Sequence, residues 1–127
     1  MDWSTVVTRR ASSEPPAKGG WNLFSTNWTL VDIMDPVRYG CVAASGKQAW
    51  FGWPDVPKIE ELRLKFARTS NPVGKKKLAE EVQKLVIDEG VVVPLGQIYV
   101  PSAYGTNLTG VLESPVPFFW NIKKTGK

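Results

Sequence analysis

The chain has 127 residues, of which 43% are apolar, and a formal net charge of +4, so it has the size and composition of one globular domain with a core. It contains one cysteine, Cys41, and no histidine. This excludes a Ser-His-Asp or Cys-His catalytic group, a zinc site of the Cys/His type and an intrachain disulfide. The basic residues form no single stripe and no nucleic-acid-binding module is recognisable, so we expect no nucleic-acid partner.

The first third of the chain predicts a short helix, a strand and a helical piece. Residues 4–11 have helical spacing of their larger side chains, with Ser4 as the expected cap. After a loop rich in Ser, Pro and Gly, residues 21–28 alternate loosely and are rich in aromatics, which predicts a strand. The Asp35-Pro36 pair predicts the start of a helical piece that runs to about Val42.

Two longer helices follow. The first is expected over residues 56–68, with Asp55 as its cap, and the second begins at the Asn71-Pro72 pair and ends at Gly90. Each helix carries a stripe of apolar side chains that recurs at three- and four-residue spacing. The stripes are Ile59, Leu62 and Phe66 in the first helix, and Leu78, Val82, Leu85 and Val86 in the second.

The chain changes character after Gly90. Residues 91–100 are apolar and β-branched, which predicts a buried strand that Pro94 interrupts. From residue 101 onward, turns separate short extended pieces that end in residues 116–122. We therefore expect an α+β fold, with about three helices packed on a small mixed sheet and an extended C-terminal arm.

The candidate ligand contacts lie in the aromatic stretch near residue 30. Asp32 is a carboxylate next to apolar surface, which suits the capture of a cationic or amine-bearing ligand, and Trp28 is suited to an apolar wall. The alternative for Asp32 is a cap of a turn, which is also the expected role of Asp35. Trp21 and Trp28, seven residues apart in a regular strand, would face opposite sides, so we expect only Trp28 to face a cleft.

Four motifs in this order resemble the extracellular solute-binding proteins of family 5, which serve ABC importers of dipeptides and oligopeptides. The motifs are Gly19-Gly20-Trp21-Asn22-Leu23-Phe24 with Asp32-Ile33-Met34-Asp35-Pro36, Phe51-Gly52-Trp53-Pro54-Asp55, Pro94-Leu95-Gly96-Gln97 and Pro117-Phe118-Phe119-Trp120-Asn121. The resemblance implies a fragment of a two-lobed, periplasmic binding protein type II-like fold, corresponding to its last quarter. Residues 1–93 would then belong to the C-terminal lobe, and residues 94–127 would be a crossover strand and tail that return to the N-terminal lobe.

The same resemblance implies a periplasmic protein that binds a peptide or a similar amine-bearing solute and delivers it to an ABC permease. Asp32 would meet the ligand's α-amino group and Trp28 would supply the aromatic wall. No enzymatic step, cofactor or metal is implied. The residues around Met1 lack the charged and apolar regions of a signal peptide, an absence that for a fragment says nothing about location.

Two other classes stay open at this point. The chain could be a stand-alone module that uses its aromatic surface to bind protein or carbohydrate, or a carboxylate-based hydrolase that uses Asp32 and Asp35. For a fragment, apolar faces made for absent strands would be exposed. We therefore also expect self-association, or exchange of the C-terminal segment between copies.

Overall fold

Four α-helices and one two-stranded ribbon form the regular structure of residues 1–126, which a computed structural model describes. The helices are α1 (Trp3–Arg10), α2 (Leu30–Ile33), α3 (Pro57–Arg68) and α4 (Pro72–Asp88), and short 3-10 turns lie at Pro16–Lys18, Gly40–Val42 and Gly46–Gln48. The strands are β1 (Leu108–Thr109) and β2 (Lys123–Lys124), which pair antiparallel.

The core is the contact between α3 and α4, together with the loop that precedes α3. Ile59 of α3 is completely buried, and burying an aliphatic side chain of this size stabilises the fold by about 1.5–3 kcal/mol. The predicted stripes supply most of the core, and Phe66 and Leu85 pack at its margin. The buried cluster consists of Val42, Ala44, Ile59, Leu62, Leu78, Val82 and Val86.

The boundaries of α4 confirm the local signals in the sequence. Asn71 Oδ1 accepts a hydrogen bond of 2.6 Å from the Gly74 amide, so Asn71 caps the helix as predicted. At the other end, Gly90 has a φ of 64°, and its amide donates to the Ile87 carbonyl at 3.0 Å. The Val91 amide donates to the Val86 carbonyl at 3.0 Å, which completes a Schellman motif.

The predicted caps of α1 and α3 are wrong. Asp2, not Ser4, caps α1, because its Oδ1 accepts a 3.0 Å hydrogen bond from the Thr5 amide. Val56 occupies the cap position of α3, and Asp55 instead pairs antiparallel with Ser45. The Val56 amide also donates to the Ala44 carbonyl at 3.0 Å, which extends this pairing. The backbone just before α3 is therefore hydrogen-bonded to the loop around residues 44–45.

The strands predicted over residues 21–28 and 91–100 do not form, and no continuous helix runs from Asp35 to Val42. A strand must pair its backbone amides and carbonyls with a neighbour, and within residues 1–126 neither segment has one. The small mixed sheet is therefore replaced by an antiparallel ribbon of two residues per strand. The fold thus contains helices and a small amount of sheet, as predicted, but the predicted packing of the helices on a sheet is not observed.

Two features of other protein classes are absent from residues 1–126. No helix in this part of the chain is both long and apolar enough to cross a membrane. No group of three or more Cys, Asp or Glu side chains in the same residues is arranged to hold a metal ion.

Candidate functional site

The loop that carries the candidate residues starts at a glycine that the packing requires. Gly20 is buried, and a Cβ at this position would lie 1.5 Å from the Glu14 carbonyl oxygen. The Gly20 amide donates to the Pro15 carbonyl at 3.1 Å, which turns the chain back toward α1. From there Trp21 Nε1 donates to the Arg10 carbonyl at 3.0 Å, so the loop is attached to the end of α1.

Seven aromatic side chains, which we call the aromatic cluster, come together from three parts of the chain. Neighbouring ring centroids lie 4.8–6.5 Å apart, the range in which edge-on and tilted aromatic pairs are favourable. All of the rings except Trp28 are largely or partly buried. The members are Trp21, Phe24, Trp28, Tyr39, Trp50, Phe51 and Trp53.

Trp28 lies at the edge of the aromatic cluster, with 39% of its surface exposed. Its ring packs edge-on against Tyr39 at 5.8 Å and against Trp50 at 5.7 Å. One part of the indole is thus held by the cluster and another part faces outward. Trp21 is more buried, and its ring nitrogen is hydrogen-bonded to the Arg10 carbonyl. Of the two indoles, Trp28 is therefore the accessible one.

Asp32 lies in the first turn of α2 with a half-exposed carboxylate. One oxygen, Oδ2, accepts a hydrogen bond from Thr29 Oγ1, and the Asp32 amide donates to the Thr29 carbonyl at 3.0 Å. The other oxygen, Oδ1, is 3.9 Å from Arg38 Nη2. Exposed ion pairs of this kind contribute about 0–1 kcal/mol, so Arg38 holds Asp32 only weakly. The carboxylate is therefore partly used by its own turn and partly free.

Asp35 has the structural role that the sequence predicts. Its Oδ1 accepts hydrogen bonds of 2.9 Å from the amides of both Val37 and Arg38, which forms a turn. This carboxylate oxygen is therefore used by the backbone of its own turn.

Cys41 is buried and lies next to Trp28 and Tyr39 of the aromatic cluster. Burial raises the pKa of its thiol to about 11, although Trp28, Tyr39 and Arg10 act in the opposite direction. Burial, and then the neighbouring Cys41, also raise the pKa of the Tyr39 hydroxyl. Both groups are therefore neutral near pH 7, and Cys41 is not an activated nucleophile.

An open cavity of about 400 Å³ lies between α1 and the loop that follows Gly20. Trp28 and Asp32 are not among its lining residues. No pattern in the sequence singles out Tyr39, which packs against Trp28, or Arg10, which lies over Trp50. Tyr39 is close in sequence to the candidate residues, whereas Arg10 is not. The cavity is lined by Met1, Val6, Arg9, Arg10, Pro16, Gly20, Trp21, Asn22, Leu23 and Phe24.

The comparison with known proteins gives one informative relative. No protein-family model matches the chain. A probable peptide ABC transporter periplasmic-binding protein of Sinorhizobium fredii is 37% identical to it over 123 residues. That match covers 97% of this chain but 23% of the relative. The chain is therefore similar to part of a periplasmic-binding protein of an ABC transporter, and it spans about a quarter of the length of that relative.

Proposed function

We propose that this chain forms part of the ligand cleft of a periplasmic solute-binding protein that delivers a peptide to an ABC permease. The observation that carries the proposal is 37% identity, over 97% of the chain, to a relative described as a probable peptide ABC transporter periplasmic-binding protein. The whole protein performs no chemical step. It binds its ligand by closing two lobes about a hinge.

Within that cleft, Asp32 is the partner of the ligand's α-amino group and Trp28 is an apolar wall. The half-exposed carboxylate supports this role, because its Oδ1 faces only a weak partner, Arg38, at 3.9 Å. A charge-assisted hydrogen bond from an ammonium group to this oxygen is worth about 1.5–3 kcal/mol. The accessible edge of Trp28, supported from behind by Tyr39 and Trp50, supports the second role.

The division of the chain between lobes is also part of the proposal. Residues 1–93 contribute to the C-terminal lobe, and residues 94–127 form the crossover and tail that return to the N-terminal lobe. The distribution of apolar surface supports it, because the buried cluster lies before residue 93. Several large apolar side chains after residue 93 are exposed, as expected of a segment that packs against other polypeptide. They include Leu95, Ile98, Tyr99, Val100 and Tyr104.

A chimera gives the most direct test, because it restores a complete cleft. The 123 matching residues of the Sinorhizobium fredii relative are replaced by this chain, and binding of trialanine is measured by calorimetry. We expect a Kd within about tenfold of that of the unmodified relative, a difference below about 1.4 kcal/mol. Asp32→Asn should weaken binding by about 10- to 150-fold, which corresponds to the loss of about 1.5–3 kcal/mol.

Three comparisons make the test specific for Asp32. N-acetyltrialanine lacks the amine and should bind to the chimera as weakly as trialanine binds to the Asp32→Asn variant. Glu61→Gln removes an exposed carboxylate that pairs with Lys58 in α3, and should leave binding unchanged. Arg38→Ala removes the competing cation and should tighten binding. A folded chimera that binds no short peptide, while the relative does, would overturn the proposed function.

A further inference from the structure

The guanidinium of Arg10 occupies an aromatic cage. Its Cζ lies over three rings, 4.7 Å from the centroid of Phe51, 5.2 Å from Trp50 and 5.4 Å from Trp3. Its Nε is buried and donates to no acceptor. Arginine normally places its donors on oxygen acceptors, so the ring faces are the stabilising partners on this side of the group.

Arg10 is connected to the aromatic cluster through its backbone as well. The Arg10 carbonyl accepts the 3.0 Å hydrogen bond from Trp21 Nε1, while its side chain lies on Trp50 and Phe51. One residue, the last of α1, therefore connects this helix to two separate parts of the cluster. The adjacent Arg9 differs, because it is exposed and its Nε donates to the Gly19 carbonyl at 3.2 Å.

Trp50 connects the cage to the candidate ligand wall. Its ring lies 5.7 Å from Trp28 at an interplanar angle of 68°, and 5.5 Å from Phe24. An edge-on contact depends on the orientation of both rings. Any rotation of the Trp50 ring would therefore change its contact with the Trp28 ring. Since Arg10 lies over Trp50, its cation restrains that rotation.

We propose that Arg10 is a positioning residue for the ligand wall: its caged guanidinium holds Trp50 against Trp28, and so sets the orientation in which Trp28 meets the ligand. This role rests on the proposed function only as far as the ligand is concerned. The hold of Arg10 on Trp28 is a property of this chain and is measurable without ligand.

The first measurement is the near-ultraviolet circular dichroism of the full 127-residue chain. The component due to the Trp28–Trp50 pair is identified as the signal that both Trp28→Phe and Trp50→Phe remove. Arg10→Met keeps a long side chain without the charge and should lose at least about half of that component, because the cation–π restraint is gone. Arg10→Lys keeps a cation and should restore most of it. Arg9→Met is the matched control and should leave it unchanged.

The second measurement is the Kd for trialanine in the chimera described above. We expect Arg10→Met to raise it by about five- to tenfold, since a displaced wall loses about one favourable aromatic contact. Arg10→Lys and Arg9→Met should change it by less than about twofold. Arg10→Gln, a second neutral variant, is measured alongside, and far-ultraviolet circular dichroism identifies any variant that is unfolded.

Each outcome decides the proposal. An unchanged Trp28–Trp50 signal in the folded neutral variants overturns it. A lost signal with an unchanged trialanine Kd shows that Arg10 orients Trp28 without affecting ligand, which also overturns it. If no chimera binds trialanine, the proposed function fails, and the dichroism of the chain alone still decides whether Arg10 holds Trp28 in place.

Discussion

At the scale of single residues, the environment decides what each side chain can do. Asp32 and Asp35 are three residues apart, yet one carboxylate is half free and the other is bonded to two backbone amides. Cys41 and Tyr39 are both kept neutral by burial, which raises the pKa of each. The residue types alone make these side chains candidates for a chemical role. The contacts of each side chain then determine whether it has a structural role or stays accessible.

The raised pKa of Cys41 predicts a loss of stability in alkali. The folded-state pKa is about 11, above the ordinary thiol value of 9.0, so the folded form disfavours the thiolate. The stability that depends on the neutral thiol is complete below pH 9 and is lost as the pH rises through 11. Because the unfolded state then binds fewer protons, the melting temperature should fall over this interval.

Cys41→Ala provides the control for that prediction, since it removes the thiol and keeps every other group of the chain. Calorimetric melting temperatures measured from pH 8 to pH 11 should fall less steeply for Cys41→Ala than for the wild-type chain. Parallel curves for the two proteins would show that the thiol does not contribute. Alkylation of Cys41 by iodoacetamide at pH 8 should likewise be slow until the chain is unfolded.

At the scale of elements, the α3–α4 pair carries the stability of the chain. Local signals define both helices: an apolar stripe in each, an asparagine cap at the start of α4 and a glycine at its end. The ionic contact of Arg63 Nη1 with Glu60 Oε1 at 2.7 Å adds a link to the loop, because the same Glu60 oxygen accepts from the Ala44 amide. The helices thus organise the loop that leads into them.

Ile59→Ala tests this element directly. Ile59 is completely buried in the cluster between α3, α4 and the preceding loop, so we expect the substitution to lower the free energy of unfolding by about 2–5 kcal/mol. Leu64→Ala, on the same helix but 56% exposed, should cost much less. Urea denaturation followed by far-ultraviolet circular dichroism measures both. Equal losses at the two positions would contradict the packing described for α3.

At the scale of the whole molecule, the core and the C-terminal segment differ in how much of their apolar surface is buried. The buried cluster and the side chains packed against it come from residues 39–92, and residues after 93 expose large apolar side chains such as Leu95 at 83% and Tyr99 at 87%. An extended apolar segment without a paired neighbour is prone to associate with other chains. Self-association of the isolated chain therefore stays a prediction that this surface favours.

Truncation after Val93 tests the division of the chain. Residues 1–93 keep the complete buried cluster, so we expect the shortened chain to retain the helical signal and to melt within about 5 °C of the full chain, a shift of about 1 kcal/mol. Sedimentation velocity should show less association for the shortened chain. A loss of helical signal would mean that the C-terminal segment is part of the core. Equal association would place the adhesive surface elsewhere.

The sequence by itself determined the parts of this protein that depend on neighbours along the chain. The two long helices, the Asn71 cap and the Gly90 terminus follow from periodicity and from residues within one helical turn. The resemblance of the motifs to solute-binding proteins is likewise readable without coordinates, and the 37% identity to such a relative agrees with it.

Only the tertiary structure decided what depends on residues far apart in the chain. Residues 91–100 have the composition of a strand, but without a neighbouring strand among residues 1–126 their backbone groups have no ladder to join. Contacts with the rings of Tyr39 and Trp50 orient Trp28. The guanidinium of Arg10, forty residues earlier in the sequence than Trp50, lies over the Trp50 ring. Packing in three dimensions creates these contacts, and no local pattern of residues encodes them.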